Sequence, residues 1–300
     1  MGWPRAAGLF GVTMVASVVQ PSVLVAIPFL IIAGFRGVRG PGVFIAAVLA
    51  MVLAVSGPRD GFWFMERAWG LLLGGWFVGV TLAAPHWRLS ARLLTSVGGA
   101  LLAAGLVLAL RAGGWETVDF AVQNAVDTGV ATTLQAFELL RGEGAVSPAL
   151  ATAIHQTARA QTNVFPALMG IASMSGLAVA WWLYARLGGE GDQAIGPVRN
   201  FRFNDHLVWL MIAGLLLVVT RWGDAVARVG SNAVVFMGAL YALRGSAVFM
   251  YISGGLSLFG YVLLAISLVL AAPVVVGVAM VVGIGDTWLD VRARLRETTG

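Results

Sequence analysis

Residues 256–285 read LSLFGYVLLAISLVLAAPVVVGVAMVVGIG, thirty positions without one acidic or basic side chain. As a single α-helix this stretch would be about 45 Å long, against a hydrocarbon core of about 30 Å. Pro273 falls midway, where it removes a backbone donor and crowds the preceding turn. Two short helices folded as a hairpin fit both constraints; a single kinked helix is the alternative. The start of the chain poses the same problem. Residues 6–35 form one long, largely apolar stretch interrupted by Gln20-Pro21 and Pro28. Because Pro21 disfavours helix at Gln20, the reading there is a hairpin of helices 6–19 and 22–35.

Across all 300 residues 59% are hydrophobic and 11% are charged, where soluble domains carry about 25% charged residues. A soluble fold leaves roughly a quarter or more of its chain area exposed, too much for so apolar a sequence. Lipid is the solvent that accepts it, and the charges fall between the apolar blocks as insertion demands. The formal charge is +5, with every basic residue an arginine. These arginines are scattered through short loops, which fits topology-setting residues and not a nucleic-acid surface. With no cysteine, disulfides, thiolate metal sites and cysteine catalysis are excluded. His86, His155 and His206 stand far apart, so no histidine metal site is expected. No cofactor is expected either. The N-terminal Met1-Gly2-Trp3-Pro4-Arg5 lacks a small-x-small cleavage site downstream and reads as a retained anchor.

Working outward, spans are expected at 42–56, 68–84, 93–110, 206–220 and 229–252, with an aromatic interfacial piece from Trp63 to Trp69. Residues 112–163 differ. Val118, Val122, Val126, Val130, Leu134 and Phe137 recur at three or four residues among Glu116, Asp119, Asp127 and Glu138. That is an amphipathic helix outside the hydrocarbon. Ser147-Pro148 then supplies a cap and first turn for a second helix. It kinks at Pro166 into a span ending near Tyr184. Residues 186–205 form a polar loop, and a charged helix, 286–297, closes the chain. The fold class is therefore all-α: a polytopic transmembrane bundle of eight to ten passes, with an amphipathic helical pair outside the membrane. It reads as one integral domain over 1–300, divided into N-terminal spans 6–110, the segment 112–163, C-terminal spans 164–285 and a tail 286–300.

Arginine asymmetry orients the bundle. With the N-terminus in the cytoplasm of a bacterial inner membrane, Arg5, Arg36, Arg39, Arg88, Arg92, Arg186, Arg199, Arg202, Arg292, Arg294 and Arg296 fall inside, and the acidic 112–163 segment falls outside. Gly70-x-x-x-Gly74 and Gly75-x-x-x-Gly79 suit close helix packing within the bundle.

Few residues carry chemistry. Arg244 lies about 15 residues into a span, where an arginine marks a functional site unless it snorkels to the interface. Asn232, three turns earlier, is its candidate hydrogen-bonding neighbour. Asn204-Asp205 reads as a helix cap. Gly283-Ile284-Gly285-Asp286 matches the Gly-x-Gly-Asp string of intramembrane aspartyl proteases. That chemistry needs a second carboxylate facing the first, and no second aspartate is expected inside a span.

The C-terminal half also carries a resemblance. Phe201-Arg202-Phe203-Asn204-Asp205 before Leu207-Val208-Trp209, then Leu240-Tyr241-Ala242-Leu243-Arg244-Gly245, then Asp286-Thr287-Trp288-Leu289-Asp290-Val291-Arg292 together resemble the YybS-like family of bacterial predicted membrane proteins (domain of unknown function 2232). The family's pattern has proline at the Asn204 position and glutamine at that of Arg244. The resemblance covers roughly 160–296 and, through hydropathy alone, the first half. It marks Arg202, Asp205, Asp286, Trp288, Asp290 and Arg292 as signature residues. It implies a distant likeness to the substrate-binding subunits of energy-coupling-factor transporters, although residues 6–19 lack the small-residue stripe those subunits use for docking. The function expected is a transporter-like or small-ligand-binding membrane component without its own ATPase. Asn232, Tyr241 and Arg244 would line its site, under an outer lid formed by 116–163. A scaffold recruiting a cytoplasmic partner through 186–205 and the C-terminal helix is the alternative, and a protease the remote one. The expected partners are the lipid bilayer and either a protein or a small ligand; neither nucleic acid nor enzymatic activity is expected.

Overall fold

The computed structural model describes residues 61–141, 147–188, 198–220, 222–255 and 257–294. The expected hairpin at 6–35, the span 42–56, the glycine break at 142–144 and the end of the closing helix lie outside them. Among the described residues there are helices and no strand. They are α1 (Gly61–Ala83), α2 (Leu89–Leu110), α3 (Gly114–Arg141), α4 (Pro148–Asn163), α5 (Phe165–Gly188), α6 (Val208–Val219), α7 (Asp224–Ile252) and α8 (Leu258–Leu289), with 3-10 turns at Val198–Asn200 and Asp205–Leu207. Among the described residues four stretches are long and apolar enough to cross a membrane: Leu89–Leu110, Phe165–Trp182, Asp224–Ile252 and Leu258–Leu289. The protein is an all-α, multi-pass membrane bundle.

The chain divides into two compact units, 1–88 with 92–189, and 89–91 with 190–300. In the first, Trp69 on α1 donates through Nε1 to the Ser173 hydroxyl on α5 at 2.8 Å, both buried. Trp76 packs so tightly on α2 that a Cβ at Gly99 would lie 2.7 Å from its ring. The amphipathic segment folds as expected. Val122 and Val130 are buried on α3, while Ser147 caps α4 by accepting from the Leu150 N–H at 3.3 Å. The break before Pro166 falls at Val164. On the glycine stripe of α1, a Cβ at Gly75 or Gly79 would meet nothing within 4 Å.

In the second unit α6 and α7 approach closely, with a Cβ at Gly230 only 2.6 Å from the Gly214 carbonyl. The expected span 206–220 is a helix of 12 residues, about 18 Å long and shorter than the hydrocarbon core. Gly254 and Gly255, with φ of 69° and 112°, turn the chain from α7 into α8, a backbone region that glycine enters without a Cβ clash. The expected hairpin at 256–285 is not formed. Residues Leu258–Leu289 make one helix, interrupted at Ala271 (φ −142°, ψ 39°). Pro273 cannot donate to the 269 carbonyl, so the chain bends there without reversing. The closing helix likewise does not begin at 286. α8 runs on to Leu289 and ends at Asp290 in the left-handed region, φ 40° and ψ 53°, before one helical turn over 291–294.

Candidate functional site

The left-handed turn at Asp290 sets the site. In an unbroken helix Arg292 would lie about 240° around and about 9 Å beyond Asp286, facing away from it. Aspartate tolerates the left-handed region better than most residues. With the reversal, the Arg292 Nη2 donates to Asp286 Oδ2 at 2.7 Å. Its Nη1 donates to the carbonyls of Arg199 (3.2 Å) and Phe201 (3.0 Å). One guanidinium thus ties the end of α8 to the irregular segment that precedes α6.

Arg244 completes the network from α7. Its Nε donates to Asp286 Oδ2 at 2.9 Å, and its Nη2 to the Asp286 carbonyl at 3.3 Å. Its Nη1 pairs with Asp205. The Phe203 ring lies 5.5 Å from the guanidinium carbon and meets Tyr241 edge-on at 5.2 Å. Arg244 is 1% exposed and Asp286 fully buried. The arginine therefore does not snorkel; it is neutralised where it stands, by carboxylates from two other segments. A buried ion pair survives only with such geometry and added hydrogen bonds, because desolvating each charge costs several kcal/mol. Arg202 pairs with Asp290 at the half-exposed rim.

Two glycines let the helices meet. A Cβ at Gly245 would lie 1.8 Å from the Ala279 carbonyl, and one at Gly283 2.0 Å from the Tyr241 carbonyl. The Gly-x-Gly-Asp match thus has a packing explanation at its first glycine, and at Gly285 a Cβ would meet nothing within 4 Å.

Of the residues marked by sequence, Arg202, Asp205, Tyr241, Arg244, Asp286, Asp290 and Arg292 come together. Asn232 does not join them. It sits twelve residues before Arg244, about 18 Å along the helix and a third of a turn round, and its Nδ2 donates to the Arg228 carbonyl at 2.9 Å. Trp288 is 68% exposed and points away. The capping reading holds for Asn204, whose side chain accepts from the His206 N–H at 3.0 Å, but Asp205 serves Arg244 instead. Phe203, Gly245 and Gly283 were missed as site residues. The signal for the glycines was the pair Arg244-Gly245 and Gly283-x-x-Asp286, each setting a glycine beside or one turn from a charge.

The family pattern of predicted membrane proteins (DUF2232) matches residues 7–287. The chain belongs to the DUF2232 family. No curated protein and no solved structure matches it. In this DUF2232 chain Arg244 and Arg292 converge on a single carboxylate, that of Asp286, and join it to Asp205 and to the Phe201 carbonyl. The Asp286 Oδ2 receives both arginines, while the Oδ1 is buried with no hydrogen-bond partner. No group of three or more potential metal ligands occurs among the described residues.

Proposed function

We propose that this chain is a non-enzymatic membrane component that docks a partner protein on the polar end of its C-terminal unit, at the cytoplasmic face of a bacterial inner membrane. One observation supports this most: residues 198–207 and 286–294 are stitched into one surface by Arg292, Arg244 and Asp286. They overlap the two segments expected of a scaffold, the loop 186–205 and the C-terminal helix. The surface presents Trp288, Leu289 and the Arg202–Asp290 pair to the outside. An exposed tryptophan and arginine on a rigid base are the residue types that anchor protein interfaces. The test is site-specific photo-crosslinking in native membranes from position 288, with position 264 on the exposed, apolar half of α8 as control. A discrete protein adduct at 288, absent at 264 and lost in Arg292→Ala, is expected. Equal labelling from both positions would remove the basis for docking.

Ligand binding or transport is the second reading, favoured by the buried, unpartnered Oδ1 of Asp286 beside Tyr241 and Arg244. The commitment of Arg244 to two carboxylates leaves it little capacity for a ligand. Mass spectrometry of small molecules retained through purification tests this reading, and retention that fails in Asp286→Asn would support it. A protease is disfavoured because its aspartates must face and share a proton with each other, whereas Asp205 and Asp286 each pair with Arg244.

A further inference from the structure

The first unit contains an arginine of the opposite kind. Arg92, in the first turn of α2, is 7% exposed. Among the described residues no carboxylate pairs with it. Its guanidinium carbon lies 4.3 Å from the centre of the Trp181 ring, and Phe77 meets that ring edge-on at 6.2 Å and 84°. The Arg92 Nε is buried with no hydrogen-bond partner. Thr81, one turn beyond Phe77 on α1, also buries its hydroxyl oxygen without one. Ser96 offers Arg92 nothing, since its hydroxyl donates to Arg92's own carbonyl at 2.7 Å. Burying part of a guanidinium is costly, and a ring face offsets only part of that cost.

We propose that Arg92 and Thr81, on the platform of Trp181, form a binding site for a phosphate-bearing anion. The planar guanidinium matches phosphate oxygens in a way a lysine ammonium does not. The Thr81 hydroxyl is a further donor, and the exposed Arg88, four residues before Arg92, adds positive charge. Arginine and tryptophan at the end of an apolar helix also stand where lipid headgroups lie. The site is on the other unit from the docking surface and does not depend on it.

Thermal unfolding in detergent tests this on wild type, Arg92→Gln, Arg92→Lys and Thr81→Val, each with phosphatidylglycerol, phosphatidylcholine or inorganic phosphate added. Phosphatidylglycerol is expected to raise the wild-type melting temperature more than phosphatidylcholine does. Its apparent affinity should fall roughly tenfold in Arg92→Gln and less in Arg92→Lys, the size expected when a charge-assisted bond to phosphate is lost. Inorganic phosphate giving the same Arg92-dependent shift would support the site and assign it to a soluble anion. Equal shifts with both lipids, or shifts of one size in wild type and Arg92→Gln, would overturn it. Should Arg92→Gln not fold, Arg92→Lys and Thr81→Val carry the comparison, and unchanged affinity in both overturns it as well.

Discussion

At Asp286 a single carboxylate takes hydrogen bonds from two arginines on different segments. Removing it strands both. Asp286→Ala should therefore destabilise the chain by about 3–5 kcal/mol, the range for breaking a buried pair from one side. Arg244→Met combined with Asp286→Leu should cost less than the sum of the single changes, since a well-packed apolar pair substitutes for a buried ion pair at little net cost. Denaturant titration in mixed micelles reads both. Arg202→Ala, at the exposed rim, should change stability by no more than about 1 kcal/mol. Arg244 could be singled out from sequence because a charge inside an apolar run is costly wherever it lies. Its partner could not. Asp286 and Asp205 were both legible as residues at helix ends, but which of them reaches an arginine depends on the left-handed turn at Asp290 and on how α7 and α8 cross, and neither leaves a local signature.

Individual helices were legible almost throughout, because apolar length and the 3.6-residue period are local properties. The exceptions have physical causes. A proline in an apolar run is compatible with both a reversal and a bend, and α8 bends at Ala271. Glycine spacing shows that close packing is possible without saying where it happens. On α1, Gly75 and Gly79 face open space, while Gly245 and Gly283 carry the contact that brings Arg244 to Asp286. Substitutions separate the two kinds. Gly283→Ala and Gly245→Ala should each destabilise by about 1–3 kcal/mol, the typical cost of forcing atoms into a packed interface. Gly277→Ala and Gly285→Ala, where a Cβ meets nothing within 4 Å, should be neutral or stabilising by up to about 1 kcal/mol, because alanine is the better helix former. Melting temperatures of the four variants in one detergent decide this.

Over the whole molecule, the hydropathy plan was sufficient to place the chain in a bilayer, since no other solvent accepts surfaces such as the exposed apolar half of α8. The absence of cysteine makes its topology directly measurable. A cysteine at Ser147 should react with a membrane-impermeant maleimide added outside intact cells, and one at Thr287 or Arg294 should not. Reaction at Thr287 or Arg294 but not at Ser147 would reverse the arrangement argued from the arginines, and reaction on both sides of the pattern would contradict it. The central claim is that 198–207 and 286–294 form one surface held through Asp286. The direct measurement is a cross-link between Arg202→Cys and Asp290→Cys with a short bifunctional thiol reagent in native membranes. The cross-link is predicted to form efficiently in that background and to fall sharply when Asp286→Ala is added. A pair that fails to cross-link while each single cysteine remains reactive, or one that cross-links equally well without Asp286, would contradict it.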